Sequence, residues 1–142
     1  MKVYTSNQIV ATFAGVPIQS GRSSEGDFIK IERMNPAFST KVGADGEVAR
    51  SRSNDKRTKI TVTLMQTSDT NALFSAIFLL DETAPNGAGV GAFGVKDQGG
   101  TSLHFAAESW ITKPADATYA AEVGTRVWEF EAANMTGVIG GN

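Results

Sequence analysis

The chain has 142 residues, 41% hydrophobic and 20% charged, as in a soluble globular protein with one core. It contains no cysteine, which excludes disulfide scaffolds, cysteine-based zinc sites and thiol nucleophiles. The net charge of -2 does not indicate a nucleic-acid binder, because such proteins carry a strongly basic surface. The chain has no apolar run of membrane-spanning length and no apolar signal core at its start. We therefore expect a cytosolic product that is neither exported nor inserted into a membrane.

Apolar and polar residues alternate with the period of half-buried β-strands in several segments. The clearest are Phe28–Arg33, Lys59–Met65 and Arg126–Ala132, and weaker ones are Gln8–Phe13, Thr101–Lys113 and Tyr119–Val123. Segments Gly15–Pro17 and Ser20–Gly26 are rich in turn residues. We expect Trp110 and Trp128, which lie in two of the strands, to be core residues.

One segment has helical spacing instead. Residues 69–81 carry a broad stripe of apolar side chains: Leu73, Phe74, Ile77, Phe78 and Leu80. Ser68 precedes them as a residue whose hydroxyl can accept a free N–H of the first turn. The sequence therefore predicts a mainly antiparallel β-barrel or sandwich with one flanking α-helix, in a single domain covering residues 1–142.

A polar segment separates the first two clear strands. Asp45-Gly46 fits a tight hairpin turn, but the charged run Glu47–Arg57 is longer than a simple hairpin needs. We therefore predict an extended polar loop over residues 43–57, of the kind that is usually functional or disordered. Between Lys41 and Lys59 the chain has six bases and three acids, net +3, which leaves -5 elsewhere.

Three patterns that could indicate chemistry are better explained as structure. Gly89–Gly94 matches GxGxxG, but the following residues open no helix to hold a pyrophosphate, so a strand or loop is favoured. His104 is the only histidine and has no recognisable catalytic or metal-binding partners. Glu129 and Glu131 share a strand face without an apolar surround, which favours a solvated or interface face over acid–base catalysis. The sequence thus predicts no enzyme, metal or cofactor.

The basic segment Arg50–Lys59 allows three interpretations of its function. It could contact phosphates, but it has no interleaved aromatic residue for base stacking. Its mixed charges favour docking onto a protein surface, and an ordinary solvated loop is the remaining alternative.

The order of these segments, from Gly26 to Met135, resembles the tail tube proteins of contractile-tailed bacteriophages. The most specific matches are Gly43-Ala-Asp-Gly-Glu-Val48 and Thr63-Leu-Met-Gln-Thr-Ser-Asp-Thr-Asn71. The resemblance implies subunits that form hexameric rings, with strands joined around the ring into an inner barrel. The rings would stack into a hollow virion tail tube through which DNA passes without specific binding.

The resemblance also implies sites and partners. The polar segment would contact neighbouring subunits and rings through Val42, Asp45, Gly46, Glu47, Arg50, Arg52, Asp55, Lys56 and Arg57. Candidate lumen residues are Lys30, Glu32, Thr61, Thr63, Glu129 and Glu131. Lys30 and Lys59 do not suit a purely acidic lumen and are candidates for ion pairs. Both chain ends, Met1–Ser6 and Thr136–Asn142, are candidates for further contacts. Partners would be other copies, a sheath, a baseplate hub, a tape-measure protein and a tail terminator, assembled in the bacterial host cytoplasm.

Two rival hypotheses remain. The chain could be another structural virion protein, such as a head decoration or minor tail protein. It could also be a small β-barrel module that binds carbohydrate or nucleic acid, which would need a concentrated aromatic or basic surface. Formation of long stacks separates a tube protein from both, because head-to-tail interfaces do not close on themselves.

Overall fold

The computed structural model describes residues 1–23 and 26–141, so Ser24 and Glu25 of the predicted turn and Asn142 of the predicted contact segment lie outside the described residues. Within those ranges the chain forms ten strands and one α-helix after a short 3-10 turn at Ser6–Gln8. The elements are β1 (Ile9–Phe13), β2 (Val16–Pro17), β3 (Ile29–Arg33), β4 (Phe38–Val42), β5 (Val48–Arg52), β6 (Thr58–Met65), α1 (Thr70–Thr83), β7 (Gly91–Asp97), β8 (Leu103–Lys113), β9 (Thr125–Ala132) and β10 (Met135–Val138).

Eight of these strands form one antiparallel sheet, seven of them in the order β2-β1-β7-β8-β9-β6-β3 and the eighth, β10, beside β8. Strand β10 continues from β9 after a two-residue break and pairs with the first half of β8. Phe13 on β1 and Phe130 on β9 are three strand spacings apart, about 14 Å in a flat sheet. Their ring centroids lie only 4.9 Å apart, so the sheet curls strongly around its core. The predicted fold class, mainly antiparallel β with one flanking helix, is confirmed.

Aromatic side chains fill the centre of this curled sheet. Phe13, Phe74, Phe93 and Phe130 are completely buried, and Trp128 is 3% exposed. Phe130 packs at edge-to-face angles against three phenylalanines, with centroids 4.9 to 5.3 Å away. Such pairs add to the stability gained by burying large apolar surfaces. The core therefore depends on strands from both halves of the sheet and on the helix.

Helix α1 covers one side of the core through Phe74. Its start is fixed by Ser68, whose hydroxyl accepts the Thr70 N–H at 3.3 Å and donates to the Ser20 carbonyl at 2.6 Å. The predicted helix is thus confirmed, with its ends shifted by one or two residues. No helix in the part of the chain that the structure describes has the length and apolar character needed to cross a membrane.

Some sequence expectations were wrong. The segment 43–57 is not a loop throughout, because Val48–Arg52 is strand β5 and pairs with β4 in a hairpin. Tyr119–Val123 forms no strand, and the expected turn at Gly15–Pro17 includes the two-residue strand β2. Trp110 is only half buried and lies outside the core.

The GxGxxG segment and His104 occupy ordinary structural positions. Residues from Gly91 belong to strand β7, which is followed by another strand and not by a phosphate-binding helix. His104 lies on β8 and lines an apolar groove of about 330 Å³ together with residues such as Ile29 and Val95. Burial lowers the pKa of His104 from its ordinary value.

Candidate functional site

The six candidate lumen residues lie on a single face of the sheet. Register pairs Lys30 with Thr61 and Thr61 with Glu129, so these three side chains form one row across β3, β6 and β9. A second row runs from Glu32 through Lys59 to Glu131, in the same strands. Thr63 continues the face along β6. Because directly opposite residues point to the same side of a sheet, we call this surface the polar face. It lies opposite the aromatic core.

The carboxylates of the polar face are paired with bases. Lys59 Nζ lies 3.3 Å from Glu129 Oε1, and Lys30 Nζ lies 3.9 Å from Glu32 Oε2. Arg57 Nη1 lies 3.7 Å from Glu131 Oε1. These pairs are partly exposed, so each contributes little to stability. They mainly affect the charge of the polar face, because each glutamate lies beside a lysine or arginine and like charges are not grouped together.

The polar face ends at two open strand edges. Four strands, β3, β6, β9 and β8, pair antiparallel in that order. The outer edge of β3 has no strand beside it in the described part of the chain. Strand β7 pairs with β8 only as far as Ser109, so no described strand pairs with Trp110–Lys113 on that side. Trp110 lies opposite Glu131, which places its indole on the polar face.

Strands β4 and β5 form an arm that stands away from the sheet. Every residue of both strands is exposed, and they pair only with each other. The turn between them is closed by the Gly43 N–H donating to the Glu47 carbonyl at 2.7 Å. Gly46 adopts φ +85°, which a residue with a side chain rarely adopts. An isolated two-stranded hairpin is marginally stable in water.

The arm has two different faces. One face carries Phe38, Val42, Val48, Arg50 and Arg52, and we call it the docking face. The Arg50 guanidinium lies 4.3 Å from the centroid of the Phe38 ring, a cation–π contact. The other face carries the small or polar pairs Ser39–Ser51 and Lys41–Ala49.

A hydrogen-bond cluster centred on Asp55 closes the base of the arm. Asp55 Oδ2 accepts from Asn35 Nδ2 at 2.6 Å, and both carboxylate oxygens accept from the Arg57 guanidinium at 2.9 Å. Arg33 donates to the Asp55 carbonyl at 3.0 Å. Asp55 and Arg57, predicted as contact residues, thus have intramolecular partners that hold the two ends of the arm together.

This cluster predicts a pH response. Hydrogen bonds from Arg57, and then from Asn35, hold the pKa of Asp55 well below its usual range. Because the folded-state pKa is lowered, the stabilisation is present above the ordinary value and is lost as pH falls through the lower one. At pH about 3.9, where an ordinary aspartate is half protonated, we expect Asp55 to remain ionised in carboxyl NMR spectra. Arg57→Gln should shift its titration upward, and a wild-type midpoint near the ordinary value would contradict the cluster.

Helix α1 also has an unusual exposed surface. Leu73, Leu79 and Leu80 are 49%, 57% and 52% exposed. Residues 70–83 contain no lysine, arginine or histidine, and their charged residues are Asp81 and Glu82. A helix at the surface of a monomeric protein normally has a polar outer face. Sequence analysis grouped Leu73 and Leu80 with Phe74 in one apolar stripe, and the structure shows that only Phe74 among them is buried.

The structure therefore brings the predicted residues into two places. Lys30, Glu32, Thr61, Thr63, Glu129 and Glu131 share the polar face, while Val42 through Arg52 form the arm and Asp55–Arg57 its base. Sequence analysis did not single out Phe38, or Val48 within the predicted contact segment, although the spacing of Phe38, Thr40 and Val42 at every second position could have indicated a strand. The described residues contain no cluster of His, Cys, Asp and Glu suited to a metal ion.

Comparisons with known proteins agree with this fold. The sequence profile of the family described as bacteriophage PhiTE tail tube protein matches residues 1–140. Structural protein ORF10 of Pseudomonas phage KPP10 is 28% identical over 143 aligned positions, which cover 98% of this chain and 83% of that protein.

Two solved structures of an extracellular contractile injection system, PVC, have the same fold. A chain of its extended sheath/tube terminator superposes with a TM-score of 0.64 at 9% identity, covering 98% of this chain and 99% of that one. A chain of its extended sheath–tube complex also gives 0.64 at 10% identity, covering 96% and 91%.

Proposed function

Because this chain belongs to the bacteriophage PhiTE tail tube protein family, and is thus a structural protein of the phage tail, we propose that it builds the tail tube itself. Six copies close into a ring, and the rings stack into a hollow conduit through which DNA leaves the virion. This function needs no cofactor and no catalytic residue.

The run of four antiparallel strands carries this proposal. Since β3, β6, β9 and β8 alternate in direction, the first and last strands of the run are antiparallel. Rotation about a ring axis keeps strand direction, so β3 of one copy meets β8 of the next in antiparallel orientation. The open edges are Ile29–Arg33 on β3 and Trp110–Lys113 on β8. Pairing them closes a barrel in which no such edge is left for uncontrolled association.

The polar face then lines the lumen. DNA must slide along this wall, and unpaired bases would hold its phosphates. Lys30, Lys59 and Arg57 are each within 4 Å of a glutamate, which weakens their attraction for a polyanion. Thr61 and Thr63 leave the middle of the wall polar and uncharged. This wall supports passage of DNA without specific binding.

The arm supplies the contacts between subunits and between rings. It projects from the part of the chain between β3 and β6, both of which belong to the proposed inner barrel. The ring also presents surfaces to a sheath around the tube, a baseplate hub and a tail terminator at its ends, and a tape-measure protein within it. We place assembly in the host cytoplasm, with no insertion of this chain into a membrane.

Negative-stain electron microscopy of the purified protein at high concentration tests the proposal. We expect hollow tubes or stacks of six-fold rings. Single rings that never stack would indicate a terminator, a role that the shared fold with a sheath/tube terminator makes the main alternative. Uniform monomers, even with a baseplate present as a nucleus, would contradict ring assembly and favour a decoration protein or a binding module.

A further inference from the structure

Helix α1 is apolar on both sides. Phe74 is buried in the core on its inner side, whereas Leu73, Leu79 and Leu80 on its outer side are about half exposed. Helices that are hydrophobic all round are normally buried. The outer side of α1 therefore has the composition of a surface that contacts other protein. We call it the helix surface: Leu73, Leu79, Leu80 and the exposed carboxylate of Glu82.

The arm likewise exposes apolar side chains to solvent. Its docking face exposes Phe38 by 45% and Val42 and Val48 by 62% each, and no second layer covers them. It also carries Arg50 and Arg52. Aromatic residues and arginine are the residue types enriched at the energetically important centres of protein interfaces. The opposite face of the arm, with Ser39, Ser51 and Ala49, has none of them.

These two surfaces complement each other in apolar character and in charge. The helix surface combines leucines with the carboxylate of Glu82 and has no base, while the docking face combines apolar side chains with two arginines and has no acid. We propose that the docking face of one copy binds the helix surface of another copy. The inference rests on the proposed tube, and it names the surface that receives the arm.

This contact joins two different surfaces and is therefore head-to-tail. Each copy then has one arm and one helix surface, so the contact repeats from subunit to subunit around a ring or along a stack. The Asp55 cluster supports it by fixing the arm before binding, which lowers the ordering cost of association. The same contact covers the exposed apolar side chains of both the docking face and the helix surface.

Charge reversal on the two faces of the arm tests the proposal. Arg50→Glu with Arg52→Glu places acids opposite Glu82, so the protein concentration at which tubes appear should rise by about tenfold or more. Adding Glu82→Arg should restore part of the loss. The matched comparison is between Arg50→Glu alone and Lys41→Glu, which makes the same single charge reversal on the other face and should leave assembly unchanged. Equal effects of the two changes would overturn the proposal.

Cross-linking tests the contact without depending on tubes, and the absence of cysteine makes introduced thiols unique. With Val48→Cys and Leu80→Cys together, a short bis-maleimide should produce a ladder of covalent multimers. Ala49→Cys with Leu80→Cys is the control, since Ala49 lies on the other face of the arm.

The outcomes separate this inference from the proposed function. If tubes form and the Val48 pair gives no more ladder than the Ala49 pair, the contact is wrong and the tube stands. If only discrete oligomers form but the Val48 pair cross-links selectively, the tube fails and the contact stands.

Discussion

Replacing residues 38–52 by an Asn-Gly turn should leave the subunit folded and abolish tube growth. The Ala37 carbonyl and the Ser53 N–H are 2.8 Å apart, so a tight turn can join the two ends of the arm. None of the removed residues belongs to the core. Because surface changes of this kind cost little, the melting temperature should fall by less than about 2 °C.

Thermal unfolding and electron microscopy of the same preparation measure the two effects. Ser39→Ala with Ser51→Ala is the control, because it alters the face of the arm opposite the proposed docking face, and its tubes should have normal length. Tubes of normal length from the protein without the arm would show that other segments stack the rings.

Phe130→Ala should have the largest effect on stability. Phe130 is completely buried and contacts Phe13, Phe74 and Phe93, so truncation leaves a cavity bounded by β1, β7 and α1. Loss of a buried phenylalanine typically costs about 3–5 kcal/mol, a large part of the stability of a small domain. Urea denaturation of the wild type and the variant measures the difference in free energy of unfolding.

Val127→Ala provides the comparison on the same strand. Val127 is 44% exposed on the polar face, opposite Thr63, so its truncation removes little buried surface. We expect it to cost less than about 1 kcal/mol. Similar losses for the two variants would mean that the aromatic cluster is not the main source of stability.

The sequence predicts the strands and the helix best where one side of the element packs on the core and the other faces solvent. Strands β3, β6 and β9 alternate between the core and the polar face, and this alternation identified them. The structure adds that the six candidate lumen residues of these strands share one face. Their function in a lumen stays a prediction. The apolar residues of α1 likewise identified a helix, since their spacing is incompatible with a strand.

The arm was missed because it has no core. A strand that packs on nothing has no reason to alternate between apolar and polar residues, so Val48–Arg52 has the composition of a loop. Only the cross-strand hydrogen bonds and the turn at Gly46 define it as a hairpin. The charged run Glu47–Arg57 is longer than a hairpin needs because only its first part belongs to the hairpin. Its last residues form the Asp55 cluster at the base of the arm.

Trp110 shows a second limit of sequence analysis. Its place in a predicted strand favoured a core position, but an irregularity between Ala106 and Ser109 shifts the alternation of β8, so that Ser109 and Ile111 point to the core instead. The indole consequently lies beside Glu131 on the polar face, next to the open edge of the strand. There, an aromatic side chain is available to the neighbouring subunit that the proposed ring places against this edge.

Helical reconstruction of assembled tubes by cryo-electron microscopy tests the central claim most directly. We predict that β3 of each copy pairs antiparallel with residues Trp110–Lys113 of its neighbour and that Thr61 and Glu129 face the lumen. A tube in which these edges remain unpaired, or in which the polar face points away from the axis, would contradict the account.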